Sequence, residues 1–268
     1  MNNVEQTINK YILALSVIAI TLLVAHIGVV SFFDRGLSGL ITEDHIAQHG
    51  LLATAMNLYF NLDVERNIPS WFGAGLHLSV AALVAVTVFL GKDIKNKGHW
   101  KFLIFAFLFL SLDETISIHE KLTGAMKMLD IFPKEMPYMW VYPVLVCVGI
   151  FALSYIKFLK DLPKDIMWKM VLAGGIFVTG AAVIEMIGGL LDNIGMKKSA
   201  LYQAEVVLEE GMEMFGIILF ISAINQFLSR EVVPQNLPKL AGTLVANETA
   251  AQEAANDDYG YVKGSNIA

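Results

Sequence analysis

Ionisable side chains occur inside apolar parts of this chain, where they could carry out chemistry. Residues 111–120 read SLDETISIHE and end a run, residues 102–112, that is apolar apart from one serine. The carboxylates in this stretch are Asp113, Glu114 and Glu120, and the imidazole is His119. Ionisable groups within a membrane-spanning segment are costly, so they indicate a functional site.

A second group of acids lies in another apolar segment, residues 201–228. Glu205, Glu209 and Glu213 recur every fourth residue, and Glu210 lies beside them. Like charges at this spacing repel one another on a helix, so they weaken it unless something compensates. Single ionisable residues also lie in other apolar segments, at His26, His77 and Glu185.

Six apolar segments are long enough to cross a bilayer, which takes about 20 helical residues. They cover residues 11–33, 70–91, 99–122, 137–159, 168–192 and 201–228. They are continuously apolar rather than alternating, which excludes the strands of a membrane barrel. Hydrophobic residues make up 56% of the chain and charged residues 16%. The sequence therefore predicts an all-α, polytopic membrane protein with a six-transmembrane-helix bundle.

The predicted transmembrane domain covers residues 1–240. Residues 241–268 are small, polar and acidic, and they predict a disordered cytoplasmic tail. The connection between the first two spans, residues 34–69, is long for a loop. Residues 46–62 within it have few charges and fit a short interfacial helix on the outer side.

Basic residues predict the orientation of the bundle. Lysines are concentrated in the connections 92–101 and 157–169. Because positive residues favour the cytoplasmic side, both termini are expected in the cytoplasm. We expect the location to be the inner, or plasma, membrane of a bacterial cell.

Helical rise predicts that the ionisable groups share one layer in the outer half of the membrane. At about 1.5 Å per residue from the cytoplasmic ends, Asp113, Glu185 and Glu213 lie roughly 18–25 Å deep. Asp113, Ser117 and Glu120 would also share one face of a continuous third helix.

The acids have no basic partner in the predicted spans, since no lysine or arginine lies in their apolar portions. Each charged residue at mid-bilayer costs roughly 2.5–3.5 kcal/mol. Either several carboxylates carry shared protons, or they coordinate a cation. Imidazoles in the same zone favour a metal. Carboxylate and imidazole ligands without thiolate suit one or two divalent ions of Fe, Mn or Zn.

These arguments give a specific set of site residues. The predicted metal ligands are Asp113, Glu120, His119, His77, Glu185, Glu210 and Glu213. The predicted catalytic residues are Glu114 and Glu209, as general bases. The sequence leaves open whether His26, His45 and His49 join the site. Asp63 and Glu65 could close it, but their segment fits a solvated loop better.

The leading functional hypothesis is a metal-dependent membrane enzyme, a hydrolase or oxidoreductase. Its partners would be membrane lipid and a lipid or small hydrophobic substrate. A proton- or cation-coupled transporter or channel is the alternative, although the cytoplasmic halves of the spans are almost purely apolar. A non-enzymatic membrane subunit or assembly factor is the third hypothesis. There is no basic patch with interleaved aromatic residues, so nucleic acid is not expected as a partner.

Overall fold

The computed structural model describes residues 3–32, 50–91, 93–129, 136 and 138–235. Over these ranges the regular structure is helical throughout, which confirms the predicted all-α class. The predicted tail, residues 241–268, lies outside the described residues.

The helices form a single series along the chain. The α-helices are α1 (Asn3–Phe32), α2 (Leu51–Phe60), α3 (Ile68–Leu90), α4 (Lys97–Ile116), α5 (Ile118–Met128), α6 (Val141–Lys160), α7 (Lys164–Val178), α8 (Glu185–Asn193) and α9 (Ala200–Phe227). A π-helical turn, Thr179–Ile184, joins α7 to α8, and a second one, Leu228–Val232, follows α9. Helix α2 lies within the segment for which the sequence predicts an interfacial helix.

Side-chain hydrogen bonds cap the N-termini of two helices around the candidate site. The Asn67 side chain accepts a hydrogen bond from the backbone N–H of Ser70 at 3.2 Å, at the start of α3. Ser199 accepts one from the N–H of Tyr202 at 3.1 Å, at the start of α9. Such caps satisfy N–H groups that have no partner within the helix.

Several helices are long and apolar enough to cross a membrane. Among the described residues, four qualify individually: α1, α3, α6 and the continuous helix Lys164–Asn193. Large apolar side chains also face outward along them. On α6 these include Leu145, Val146, Ile150 and Leu153. An exposed apolar surface of this extent fits contact with lipid, and the chain is a multi-pass membrane protein.

The predicted third span is not one straight helix. It bends by 75° between α4 and α5. Ser117 lies at the bend with a left-handed backbone (φ 53°, ψ 57°), a conformation that costs roughly 1–2 kcal/mol outside glycine. The prediction of a continuous helix, with Asp113, Ser117 and Glu120 on one face, is therefore wrong. If the bent pair counts as one span, the chain has five candidate spans.

Helix α9 occupies the centre of the bundle and contacts α1, α3, α7, α8 and the first π-helical turn. It corresponds to the sixth predicted span. However, it contains four glutamates and is not among the four described helices that qualify individually as spans. The six-span topology therefore remains a prediction.

An aromatic core fills one half of the bundle. The Trp100 ring lies 4.9 Å from that of Phe158 and 4.9 Å from that of Phe227. Phe107 and Phe220 pack at 5.0 Å. Trp100 lies near the start of α4, Phe158 and Phe227 lie near the ends of α6 and α9, and Phe107 and Phe220 extend the core toward the middle of α4 and α9. The core around these rings therefore consists of apolar side chains.

Candidate functional site

Five glutamates gather in the opposite half of the bundle, and we call them the acid cluster. They are Glu114 on α4, Glu185 at the start of α8, and Glu209, Glu210 and Glu213 on α9. Glu114 interacts electrostatically with Glu210 and Glu213. Glu185 interacts with Glu209 and Glu213. All five side chains are half-buried. Acids from three separate helices are thus electrostatic neighbours.

Glycines make room for the carboxylates on neighbouring helices. A Cβ atom at Gly73 of α3 would lie 2.6 Å from Oε1 of Glu114. At Gly188 of α8 it would lie 2.6 Å from both carboxylate oxygens of Glu205. Any larger residue at either position would push the acid aside. The two glycines therefore determine where these carboxylates can lie.

The π-helical turn positions Glu185. It lies directly before Glu185 and widens the helix where Gly180 approaches α9, so that a Cβ there would be 2.9 Å from the Glu209 carbonyl oxygen. Trp140 donates a hydrogen bond from Nε1 to Oε1 of Glu185 at 3.3 Å. π-helical turns within α-helices occur frequently at functional sites.

Asp113 and His119 form a pair across the bend of the broken helix. Asp113 Oδ1 accepts a hydrogen bond from the His119 backbone N–H at 3.0 Å, and Oδ2 lies 2.9 Å from His119 Nδ1. The other ring nitrogen, Nε2, lies 3.8 Å from Oε1 of Glu65. Trp140 packs against the imidazole, with ring centroids 5.0 Å apart. A carboxylate on Nδ1 fixes the ring orientation and leaves Nε2 available for proton transfer.

The loop between α2 and α3 closes over the site. Glu65 Oε2 accepts a hydrogen bond from the Ser117 hydroxyl at 2.8 Å. Asp63 Oδ1 accepts one from the Tyr202 hydroxyl at 2.6 Å, and Lys197 Nζ lies 3.9 Å from Oδ2. The interpretation of this segment as a solvated loop is therefore wrong. The sequence signal for this packed loop is the run of hydrogen-bonding residues at positions 61, 63, 65 and 67.

Burial controls the electrostatics of this loop. It raises the pKa of Asp63 above the usual range, although the Tyr202 hydrogen bond and Lys197 oppose the shift. It also raises the pKa of Glu65, against the hydrogen bond from Ser117 and the charge of His119. At the same rim, burial raises the pKa of Tyr138. The loop thus adds two partly desolvated acids beside the acid cluster.

Not all of the predicted ligands are brought into the cluster. Glu120 is exposed, because the bend at Ser117 turns α5 away from the axis of α4. His77 is buried between the rings of Phe107 and Phe177, at 6.1 and 5.5 Å. Its Nδ1 lies 3.1 Å from the Gly73 carbonyl oxygen, and within the described part of the chain its Nε2 has no hydrogen-bond partner.

The remaining histidines differ in position. His26 is fully buried, and its Nδ1 accepts a hydrogen bond from the Leu62 N–H at 3.0 Å, which fixes the closing loop to α1. This contact gives His26 a structural role. His45 and His49 lie outside the described residues.

The side chains are not already arranged around a metal ion. Over the described ranges, no group of three or more His, Cys, Asp or Glu residues lies in positions to hold one. The carboxylates are electrostatic neighbours, so coordination would require side-chain rotation. Buried Glu205 also has an oxygen, Oε1, with no hydrogen-bond partner among the described residues. The predicted metal stays a prediction.

Comparison with known proteins identifies a family. A family model described as "Domain of unknown function (DUF8692)" matches residues 14–226. The matched range contains every predicted site residue and runs from α1 into α9. No curated protein and no solved structure matches the chain.

Proposed function

This chain belongs to the DUF8692 family, and we propose that it is a membrane enzyme that binds a divalent metal ion within its acid cluster. One observation carries the proposal: among the described residues, five glutamates share a half-buried region with no lysine or arginine partner, and His119 is the basic group that acts on Glu114 and Glu185. Asp63 pairs with Lys197 and Asp165 with Arg230, whereas over the described residues none of the five glutamates forms an ion pair with lysine or arginine. Because like charges repel in a desolvated site, a bound cation would offset the cost of gathering them.

The proposed ligands are Glu114, Glu210 and Glu213. Each interacts electrostatically with another member of this trio, in which Glu114 lies on α4 and the other two lie on α9. Rotation of their side chains would bring carboxylate oxygens around one ion. Glu185 and Glu209 could complete the shell or hold a second ion. Oxygen ligands beside an imidazole suit Fe, Mn or Zn.

The Asp113–His119 pair supplies the proposed acid–base group. His119 Nε2 accepts a proton from the reacting group, while Asp113 holds Nδ1–H and so fixes the ring orientation. The metal ion would polarise an oxygen of the substrate or activate water. This combination suits hydrolysis or oxidation of a lipid or another small hydrophobic molecule.

The proposed topology has α9 as a sixth crossing, surrounded by the other helices. The acid cluster then lies in the outer half of the inner, or plasma, membrane, and both termini lie in the cytoplasm. The lysines at the opposite end of α4 and α6 support this orientation. An apolar substrate would reach the site from the bilayer.

Metal analysis of purified protein tests the proposal. We expect wild-type protein to contain a near-stoichiometric amount of Fe, Mn or Zn. Glu210→Gln should lose most of it, because the substitution replaces a ligand without changing side-chain size. Glu120→Gln is the matched control and should retain the metal, since Glu120 is exposed. Folded wild-type protein that stays metal-free after incubation with each ion would refute the proposal.

Cation-coupled transport is the second candidate, and the interruption of two helices favours it. One helix is interrupted by the bend at Ser117, and another contains the π-helical turn Thr179–Ile184. Interrupted membrane helices are common at transporter sites. The apolar core of the other half argues against a polar path. Cation flux into proteoliposomes that disappears in Glu213→Gln would favour transport over catalysis.

A further inference from the structure

An open groove lies between the beginning of α4 and residues 147–155 of α6, at the opposite end of α4 from Glu114. Its volume is about 480 Å³. The lining residues are Gly98, His99, Phe102, Cys147, Ile150, Phe151, Ser154 and Tyr155. Most of this lining is carbon. The groove faces outward between two segments that have the properties of membrane helices, so bilayer lipid has direct access to it.

Aromatic side chains bridge α4 and α6 at the groove. His99 packs against Tyr155 with centroids 5.0 Å apart, and Phe102 against Phe151 at 6.2 Å. The polar groups of the lining are engaged with one another. The Tyr155 hydroxyl donates to the His99 carbonyl oxygen at 2.8 Å, and His99 Nε2 lies 3.3 Å from the Ser154 carbonyl oxygen. The groove therefore suits a flexible apolar ligand better than a polar one.

Two lysines lie within one helical turn of residues that line the groove. Lys101 lies three residues after Gly98 and so shares its face of α4, and Lys157 lies three residues after Ser154 on α6. Both lysines are exposed. Asp161 is the nearest acid in the sequence after α6, and it accepts a hydrogen bond from Asn96 at 2.7 Å. Positive charge beside an apolar groove complements a lipid with an anionic headgroup.

We propose that this groove binds the acyl chain of an anionic phospholipid, with its phosphate beside Lys101 and Lys157. Two helices that meet through aromatic side chains leave a space that lipid fills. The two lysines then select lipids that carry negative charge. This site is independent of the metal proposed for the acid cluster, so either proposal can fail without the other.

Photo-crosslinking in nanodiscs tests the site. The probe is phosphatidylglycerol with a diazirine in its acyl chain, in phosphatidylcholine nanodiscs that contain the full-length protein. We expect labelling to concentrate on residues 98–102 and 147–155, as mapped by peptide mass spectrometry. Unlabelled phosphatidylglycerol should reduce it far more than phosphatidylcholine does.

Charge substitutions separate a specific site from general lipid contact. Lys101→Gln/Lys157→Gln should reduce labelling about tenfold, because each lysine near an anionic headgroup contributes roughly a fivefold preference that neighbouring acids diminish. The control Lys127→Gln/Lys198→Gln changes lysines at the other end of the bundle and should leave labelling unchanged.

Filling the groove gives a second test that keeps the lysines. Cys147→Trp should reduce labelling of residues 98–102, because the indole would occupy the space of the acyl chain. Labelling spread evenly over the exposed face of α1 as well, or equal competition by phosphatidylcholine, would overturn the proposal.

Discussion

The two halves of the bundle contain opposite kinds of side chain. In one half, Trp100 lies between the rings of Phe158 and Phe227, and the surrounding residues are apolar. In the other, the five glutamates of the acid cluster interact electrostatically with one another and with the loop acids Asp63 and Glu65. Helix α9 runs through both halves, so a single helix contributes to each environment.

The aromatic half stabilises the fold, whereas the acid half contains the candidate functional groups. Burial of aromatic surface stabilises the first half. Repulsion among desolvated carboxylates opposes folding in the second half, unless protons or a cation compensate. The acid cluster therefore has no explanation in stability alone, and its chemistry indicates a function. Substitutions in the two halves should consequently have opposite effects.

Truncation in the aromatic half should give the largest loss of stability. Trp100→Ala removes a ring that is 1% exposed and is expected to cost about 3–5 kcal/mol of unfolding free energy. Chemical unfolding in detergent micelles measures this change. Trp100→Phe keeps part of the ring contact and should cost less. If Trp100→Ala lost less unfolding free energy than Trp100→Phe, the aromatic half would not be what stabilises the bundle.

Neutralisation in the acid half should act in the opposite direction. Glu213→Gln removes one like charge from the cluster and should stabilise metal-free protein by roughly 1–3 kcal/mol. Glu120→Gln, at an exposed position, is expected to have little effect. Thermal unfolding after treatment with a chelator measures both. If Glu213→Gln destabilised the metal-free protein, the carboxylate would be a structural hydrogen-bonding group.

Substitution at the bend between α4 and α5 should have an effect of intermediate size, because Asp113 there has a structural role. The Asp113 carboxylate accepts a hydrogen bond from the backbone N–H of His119 at the start of α5. Asp113→Ala should therefore lower the unfolding free energy by about 1 kcal/mol, as the loss of a helix cap does. Asp113→Asn retains one acceptor oxygen and should cost less. Faster amide hydrogen exchange at residues 118–121 in Asp113→Ala is the specific readout. Unchanged exchange there would contradict the capping role.

The closing loop should give the smallest effect, and it depends on pH. Because burial raises the pKa of Asp63, the folded state holds this proton more tightly than the unfolded chain does. Its contribution to stability is complete below the unfolded pKa, near about 4. It declines as the pH rises through the raised folded pKa.

Comparison with Asp63→Asn isolates this contribution. Tyr202, Lys197, Asp192 and Glu120 act on the Asp63 carboxyl group and remain in the variant. The unfolding free energy of wild type minus that of the variant should therefore fall with rising pH. A difference that rises with pH would show that the charged form of Asp63 is the stabilising one.

The sequence predicts the all-α class and the long apolar helices, because both depend on local patterns. Long apolar runs give the membrane segments, and helical rise puts Glu114 and Glu213 at similar depth. The bend at Ser117 is not visible in this way. It depends on a left-handed serine backbone and on Asp113, whose carboxylate bonds to residues beyond the break.

Other features depended on tertiary contacts that spacing alone does not reveal. The loop residues Asp63 and Glu65 reach Tyr202 and Ser117 only when α3, α4 and α9 are packed. His77 fits the predicted layer in depth, but in the structure it lies between two phenylalanine rings. Counting residues predicts how deep a side chain lies in the membrane, whereas a metal ligand must also point toward the metal.

The most direct test of the account is an anomalous diffraction map of protein loaded with Mn or Zn. We predict a peak between the carboxylates of Glu114, Glu210 and Glu213, at about 2.0–2.2 Å from their oxygens. The peak should disappear in Glu210→Gln and persist in Glu120→Gln. A map without a peak in the acid half, with carboxyl groups paired through shared protons, would contradict the central claim.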